Sequence, residues 1–286
     1  MLGTIDRAYE KLQNDGSIPL LHSVANHLQD AGRMYARDTY QRVRFRARYG
    51  SAAPEPYRLI HVDPATVEHI LSPRFYSNIG TYGTYVLGGD WDIARVDDYL
   101  PFYEDVEAVY GHRAVFRLEN YELYHLLVER FENRTPWEET EFYARYASLA
   151  EEERWDSQRY GPENIHERFQ YLDDLYERMS DGGYRTQREL VSHPTGLKPP
   201  EVDEVILCIG RDGTLIQGGA GQHRLMLSKI LDIPRIPVRV FVRHEKWQRL
   251  RKKVADHDAS ERSAEIERYS SHPDVRHLNG SCSDGR

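Results

Sequence analysis

Apolar positions recur at helical spacing near the N-terminus. Within residues 18–39 they fall on one side of a predicted helix, at Leu21, Val24, Ala25, Leu28, Ala31 and Tyr35. In the following segment, RVRFRARYG, arginines alternate with apolar residues at a spacing of two, which favours a strand unless the helix simply continues. Two interpretations stay open: a solvated basic face on an edge strand or helix end, or a docking strip for phosphate, nucleic acid or an acidic lipid surface.

The pattern over residues 56–160 predicts mainly helices. PYRLIHVDP is typical of a short strand and ATVEHIL of a short helix, and amphipathic runs fill most of residues 99–160. Two glycines precede Asp90 and Asp92, which flank Trp91. These carboxylates suit a metal or a hydroxyl-rich ligand if the segment is a loop, or a turn that buries Trp91 and exposes both aspartates.

The third part of the chain mixes helices and strands. An amphipathic helix over residues 164–181 is expected to end at Gly182 and Gly183. Residues 204–244 then predict a strand, a turn at Arg211-Asp212-Gly213, a second strand, a glycine-rich loop, a helix and a last strand. A basic helix follows, and the polar composition after about residue 258 predicts disorder.

These patterns divide the chain into four parts. They are an N-terminal helix with a basic arm (1–55), a mainly helical region with the Gly/Asp/Trp loop (56–160), a mixed α+β domain (161–257) and a disordered tail (258–286).

Composition narrows the class of protein. The 286 residues include 40% apolar residues, which suffices for a sizeable core. A formal charge of -8 argues against a protein that coats nucleic acid through its global field. The two cysteines, Cys208 and Cys282, predict neither a disulfide framework nor a zinc cluster, so no metal ligands are assigned. With no signal peptide and no apolar run of ~20 residues, a soluble cytoplasmic protein is expected.

The strongest chemical signal is the junction of the glycine-rich loop with the helix that follows it. Such a junction aims unpaired backbone N–H groups at one point, which suits a phosphate or another anion. Cations in a first helical turn oppose the macrodipole by about 0.3–1 kcal/mol each, and an anionic ligand would reverse this cost. The predicted phosphate-binding residues here are Gly218, Gly219, Gly221, Gln222, His223 and Arg224.

Residues 165–247 resemble the ParB/sulfiredoxin-like superfamily, specifically its ParB N-terminal-like domains. The likeness rests on IGRDGTLIQGGAGQHRL and the following KILDIPRIPVRV. It implies an α+β fold with a small mixed sheet and flanking helices, here preceded by a largely helical N-terminal region. Relatives include CTP-binding partition proteins, ATP-using sulfiredoxins, a free serine kinase and DGQHR-type proteins of DNA phosphorothioation systems. In these relatives the loop and helix start commonly grip nucleotide phosphates.

The departures from the family pattern limit the chemistry. Gln222 stands where sulfiredoxins need a reactive cysteine, so reduction of sulfinic acids is not expected. Ala220 stands where many relatives have an aspartate, so another carboxylate, Glu189 or Asp212, would have to serve in phosphoryl chemistry. The resemblance also implies ligand contacts from a polar segment that contains Gln187 and Arg188.

His223 and Arg224 have two interpretations. Arg224 would bind a phosphate through two hydrogen bonds from its guanidinium group, and His223 would act as a hydrogen-bond donor or catalytic proton shuttle. Alternatively, both side chains brace the loop through hydrogen bonds to local carbonyl groups.

The resulting functional hypothesis is a nucleotide-binding protein that uses ATP, ADP or CTP, with Mg²⁺ if it is an NTP-dependent phosphotransferase or NTPase. The alternative is a non-catalytic nucleotide-sensing or nucleic-acid-binding module. A ParB-like nuclease is less well supported, and chromosome partitioning is not expected because no helix-turn-helix follows. The basic helix over residues 246–253 predicts either a nucleic-acid contact or a solvated face beside a core Trp247; its cations are Lys246, Arg249, Arg251, Lys252 and Lys253.

Overall fold

The computed structural model describes residues 17–71, 83–96, 114–151, 165–191, 198–257 and 263–279. These residues form a mixed α+β structure around one eight-stranded sheet. The strands are β1 (Leu59–Val62), β2 (His69–Leu71), β3 (Tyr85–Leu87), β4 (Ala94–Val96), β5 (Ala114–Arg117), β6 (Val205–Ile209), β7 (Leu215–Gln217) and β8 (Ile236–His244).

The sheet has the order β1-β8-β6-β7-β2-β5-β4, and β3 pairs with the far end of β8. Strands β6 and β8 run parallel, whereas β6 and β7 form an antiparallel hairpin. The parallel pairing of β2 with β7 joins this hairpin to strands from residues 56–160. One sheet therefore combines strands from both halves of the chain.

Residues 56–160 contain more strand than expected: the predicted strand at PYRLIHVDP is confirmed as β1, and the region also contributes β2 to β5. The segment ATVEHIL is not a helix; a short 3₁₀ turn, Pro64–Thr66, precedes β2. Ile70 and Leu71 of β2 are buried between β5 and β7. Pairing on both sides and burial outweigh the weak local preference for a helix.

Eight α-helices accompany the sheet in the described ranges. They are α1 (Ser17–Tyr49), α2 (Glu122–Phe131), α3 (Glu141–Glu151), α4 (Ile165–Gly182), α5 (Gln187–Leu190), α6 (Gln222–Ile230), α7 (Glu245–Asp256) and α8 (Ala264–Glu267). The predicted amphipathic helix at 164–181 is confirmed as α4, whose buried side is Ile165, Phe169, Leu172, Leu175 and Met179. None of the helices in these ranges is both long and apolar enough to cross a membrane.

Both faces of the central strand β6 are covered. Val205, Leu207 and Ile209 belong to the main core, to which α2, α4 and α6 contribute. Ile206 and Cys208 point to a second cluster on the other side of the strand, which includes Trp91 and Phe241. Because successive side chains of a strand alternate between faces, burial of all five residues requires packing on both sides of the sheet.

The arginine-rich segment after residue 40 is helical, so the strand interpretation is wrong and α1 continues to Tyr49. Ala31, Met34, Phe45 and Tyr49 form its buried side. Their spacing follows the helical period, and burial along this side holds the helix against the body of the protein.

Part of the C-terminal tail is ordered, which corrects the prediction of disorder for residues 258–286. Residues 263–279 contain α8 and a 3₁₀ helix, Arg276–Asn279. Asp274 is fully buried and accepts hydrogen bonds from Arg243 at 2.6 and 2.9 Å. It also pairs with Arg251 at 3.0 Å and accepts a hydrogen bond from Trp247. One carboxylate thus pairs with two buried guanidinium groups, an arrangement that local composition cannot reveal.

Candidate functional site at the glycine-rich loop

The predicted turn between β6 and β7 is confirmed. Gly213 has φ +90°, and its N–H donates to the carbonyl of Gly210 at 3.2 Å. Asp92 is buried and accepts hydrogen bonds from the backbone and side chain of Arg211, while Asp90 accepts one from the same guanidinium. The Asp90/Asp92 pair therefore fixes this turn. Trp91 is buried and Asp90 is exposed, as one of the two interpretations predicted, but Asp92 is buried, contrary to that interpretation.

The glycines of residues 218–221 let the loop lie directly on β6. Gly221 has φ +81°, and a Cβ there would lie 2.6 Å from the Cα of Val205. A Cβ on Gly218 would lie 2.7 Å from Cys208 Sγ. The loop is fixed by two hydrogen bonds with the backbone of Ile206, one from Gly218 N–H and one to the carbonyl of Ala220. These glycines are needed for close packing between loop and strand.

The helix predicted to begin near Gln222 is confirmed as α6. Its N-cap is Gly221, and no side chain among the described residues caps it. The first turn contains Gln222, His223 and Arg224 and no acidic residue. The N-terminal N–H groups and the positive end of the helix dipole are therefore not compensated by a carboxylate from the helix itself.

His223 contacts a cation that the sequence did not single out. Nη2 of Arg168, from α4, lies 2.9 Å from Nε2 of His223. Burial, with smaller contributions from Arg168 and Arg224, lowers the pKa of His223 to about 3. The ring is therefore neutral near pH 7, and Nε2 accepts from the guanidinium while Nδ1 carries the proton. No local sequence signal identifies Arg168, because it lies 55 positions before His223.

Arg224 is bound within the protein. Its Nη1 donates to Glu204 Oε2 and to the hydroxyl of Tyr184, both at 3.0 Å, and Nη2 donates to the carbonyl of Asp203. Glu204 is fully buried and also accepts from Tyr184 and from the backbone N–H of Gln187. The structure thus matches the bracing interpretation for Arg224. The same network brings the segment that contains Gln187 next to the start of α6.

The predicted catalytic carboxylates, Glu189 and Asp212, have different positions. Glu189 is exposed and forms a capping box with Thr186, whose hydrogen bonds lower the pKa of the carboxyl group. Asp212 lies in the β6–β7 turn, at the opposite end of this hairpin from the glycine-rich loop, and accepts from Thr214 at 2.7 Å. Of the two alternatives, Asp212 is therefore placed away from His223 and the start of α6. Arg188 pairs with Glu201 at 2.7 Å.

The basic helix predicted after His244 is confirmed as α7, but its cations do not form one free surface. Arg251 is buried against Asp274 and Ala52, beside a buried Trp247. Two further cations form ion pairs within the helix, Arg249 with Glu245 and Lys252 with Asp256. Lys246 and Lys253 remain exposed.

A cleft of about 610 Å³ lies elsewhere, beside the β6–β7 turn. Its charged lining consists of Asp63, Glu68, Arg235 and Arg276, so the two signs balance. The sequence did not predict this cleft, because β1, β2, the hairpin turn and the C-terminal segment each supply part of its wall. The balanced charge does not favour an anion there, whereas the first turn of α6 contains no acidic residue.

No protein-family model, curated protein or solved structure matches the chain. Within the described ranges, no group of three or more His, Cys, Asp or Glu residues is arranged to hold a metal ion.

Proposed function

We propose that the protein binds the phosphate group of a nucleotide at the start of α6, the feature to which the family resemblance of the sequence also points. One observation carries the proposal: Arg168 Nη2 lies 2.9 Å from Nε2 of His223, in the first turn of a helix that has no acidic residue there. Arg168 supplies the charged hydrogen-bond donor in this proposal, and the backbone N–H groups supply the neutral ones.

Electrostatics supports an anionic ligand. Burial, and then the nearby guanidinium groups of Arg168 and Arg224, lower the pKa of His223. Glu204 compensates Arg224 directly, at 3.0 Å. A phosphate beside the helix start would accept hydrogen bonds from its N–H groups and would interact favourably with Arg168.

Binding without chemical turnover fits the arrangement better than phosphoryl transfer. A histidine with a pKa of about 3 is a poor proton shuttle near neutral pH. Glu189 caps α5, and Asp212 belongs to the β6–β7 turn. We therefore assign neither residue as a catalytic base at the glycine-rich loop. In this proposal the protein senses or carries a nucleotide, and Mg²⁺ enters only as the ion that accompanies the nucleotide's phosphates.

The test compares ATP, ADP, CTP and GTP, each with and without Mg²⁺, by thermal shift and titration calorimetry. A ligand at 100 times its Kd is expected to stabilise the protein by about 2.7 kcal/mol. Arg168→Gln should weaken binding at least about tenfold, while Arg178→Gln, an exposed position on the same helix, should leave the affinity unchanged.

The proposal would be contradicted if none of the nucleotides raised the melting temperature at millimolar concentration. It would also be contradicted if Arg168→Gln and Arg178→Gln bound the nucleotide with equal affinity. Release of phosphate from a bound nucleotide would identify the protein as an NTPase instead of a sensor. Arg224→Ala is a poor probe, because it leaves the buried Glu204 without its cation.

A further inference from the structure

The outer side of α1 is strongly basic. Six arginines between Ala31 and Gly50 are exposed, namely Arg33, Arg37, Arg42, Arg44, Arg46 and Arg48. Asp38 is the single carboxylate in this stretch of sequence, and it is buried and accepts a hydrogen bond from Tyr57 at 2.6 Å. The exposed side of this segment therefore carries cations alone, on a chain with a formal charge of -8.

Most of these arginines are not neutralised by a neighbouring carboxylate. Arg48 pairs with Glu245 at 2.9 Å, and Arg37 donates to the hydroxyl of Tyr85 at 3.3 Å. The remaining four, at positions 33, 42, 44 and 46, have no ion pair with any residue that the structure describes. Their charge is therefore available to a partner.

The helical period distributes the arginines along two flanks of this surface. At about 100° per residue, Arg33 and Arg44 lie on one flank and Arg42 and Arg46 on the other. Tyr40 and Val43 lie between the flanks and are 64% and 67% exposed. At ~1.5 Å per residue the segment from Arg33 to Arg48 is ~22 Å long, a length over which duplex DNA carries about 13 phosphate charges.

We propose that this basic face of α1 binds the phosphate backbone of double-stranded nucleic acid without reading its sequence. Every cation in the segment is an arginine, whose planar fork matches phosphate oxygens with two hydrogen bonds. The buried side of α1 holds the helix rigid, so little conformational entropy is lost on binding. Exposed Tyr35 and Tyr40 add polar aromatic contacts to the sugar and phosphate groups.

An anionic membrane fits this face less well. Helices that lie in a membrane interface insert large side chains such as Trp, Phe or Leu. Between Ala31 and Gly50 the outermost positions are instead Ala36, Tyr40, Val43 and Ala47, and Phe45 points into the protein. Arginines on both flanks, with no Trp, Phe or Leu exposed between them, suit a duplex better than an acyl layer.

The test measures binding of a fluorescein-labelled 20-base-pair DNA by anisotropy over a range of salt concentrations. The logarithm of the affinity should fall with the logarithm of salt concentration, with a slope of about -0.9 for each phosphate contacted. The variant Arg33→Glu/Arg42→Glu/Arg44→Glu/Arg46→Glu should bind at least about 100-fold more weakly at 50 mM salt. The milder Arg44→Gln/Arg46→Gln should reduce the slope by about two units and keeps the test valid if the first variant does not fold.

The matched control reverses charge on α7 of the same protein. Lys246→Glu/Lys253→Glu should retain most of the affinity, and equal losses from the α1 and α7 variants would overturn the proposal. Binding to phosphatidylserine vesicles but not to DNA would also overturn it. Arg168→Gln is expected to bind DNA like the unaltered protein, so a failure at α1 is distinguishable from a failure of the nucleotide site.

Discussion

Arg224 Nη1 lies 3.0 Å from Oε2 of a fully buried Glu204, and this ion pair fixes the start of α6 to the segment before β6. The backbone N–H of Gln187 and the hydroxyl of Tyr184 donate to the same carboxylate. Arg224, which the sequence predicts to bind a nucleotide phosphate, thus forms part of the internal framework of the protein. Arg168 replaces Arg224 as the candidate phosphate ligand.

Glu204→Gln should lower the free energy of unfolding by about 3–5 kcal/mol, because Arg224 then stays buried without a compensating charge. Glu119→Gln provides the matched control; Glu119 pairs with Arg117 on the surface, where its side chain is 64% exposed, and a loss below about 1 kcal/mol is expected. Urea denaturation of both variants measures the difference. A similar small loss for both would show that the buried pair does not hold the helix start.

Gly221→Ala should destabilise the protein by about 3 kcal/mol or more, since the new Cβ combines a left-handed backbone with a collision against Val205. Gly183→Ala is the control, because Gly183 has φ +68° but its Cβ would meet no atom within 4 Å. That variant should lose only about 1–2 kcal/mol. Equal losses in thermal unfolding would mean that packing of the loop on β6 contributes little.

Asp274→Asn should lower the free energy of unfolding by about 3–5 kcal/mol, because Arg243 and Arg251 lose their common counter-ion. Asp256→Asn, which disturbs an exposed pair with Lys252, should change it by less than about 1 kcal/mol. Denaturation curves of both variants measure the contribution of the C-terminal segment. An unaffected Asp274→Asn variant would contradict the role assigned to this segment.

The same carboxylate makes stability sensitive to acid. The two guanidinium groups hold the pKa of Asp274 below its ordinary value of 3.8, although burial alone would raise it. The contribution of the Asp274 carboxylate to stability is therefore complete above pH 3.8 and is lost as the pH falls below 3.8. The unaltered protein should lose stability more steeply below about pH 4 than Asp274→Asn, which is measured by unfolding at a series of pH values.

His223 predicts a second pH dependence, in a different range. Its pKa is about 3 in the folded protein against an ordinary 6.5, so below pH 6.5 the unfolded chain takes up a proton that the folded protein does not. Stability should fall as the pH decreases from 6.5 toward 3, by up to about 1.4 kcal/mol per pH unit. His223→Gln should reduce this slope, whereas His257→Gln, at an exposed position, should not. If the stability of the unaltered protein and of both variants depended on pH in the same way, the lowered pKa of His223 would be contradicted.

The local sequence pattern was enough to predict an element where neighbouring residues alone determine its structure. The amphipathic helix that became α4, the Arg211-Asp212-Gly213 turn and the start of α6 near Gln222 were all predicted from neighbouring residues. The strand β2 and the ordered C-terminal segment were not, because their stability comes from partners distant in sequence. Asp274 meets Arg243 across 31 positions, and β2 pairs with β7 across more than a hundred.

The sequence by itself determined that a glycine-rich loop leads into a helix whose first turn contains His223 and Arg224, because turn chemistry and helical periodicity act over a few residues. Tertiary structure decided what each group contacts. It placed the glycines against β6, paired Arg224 with Glu204, and brought Arg168 to His223. It also turned an alternating run of arginines into the basic face of α1. These outcomes depend on packing between distant segments, and charge compensation across such contacts leaves no local pattern.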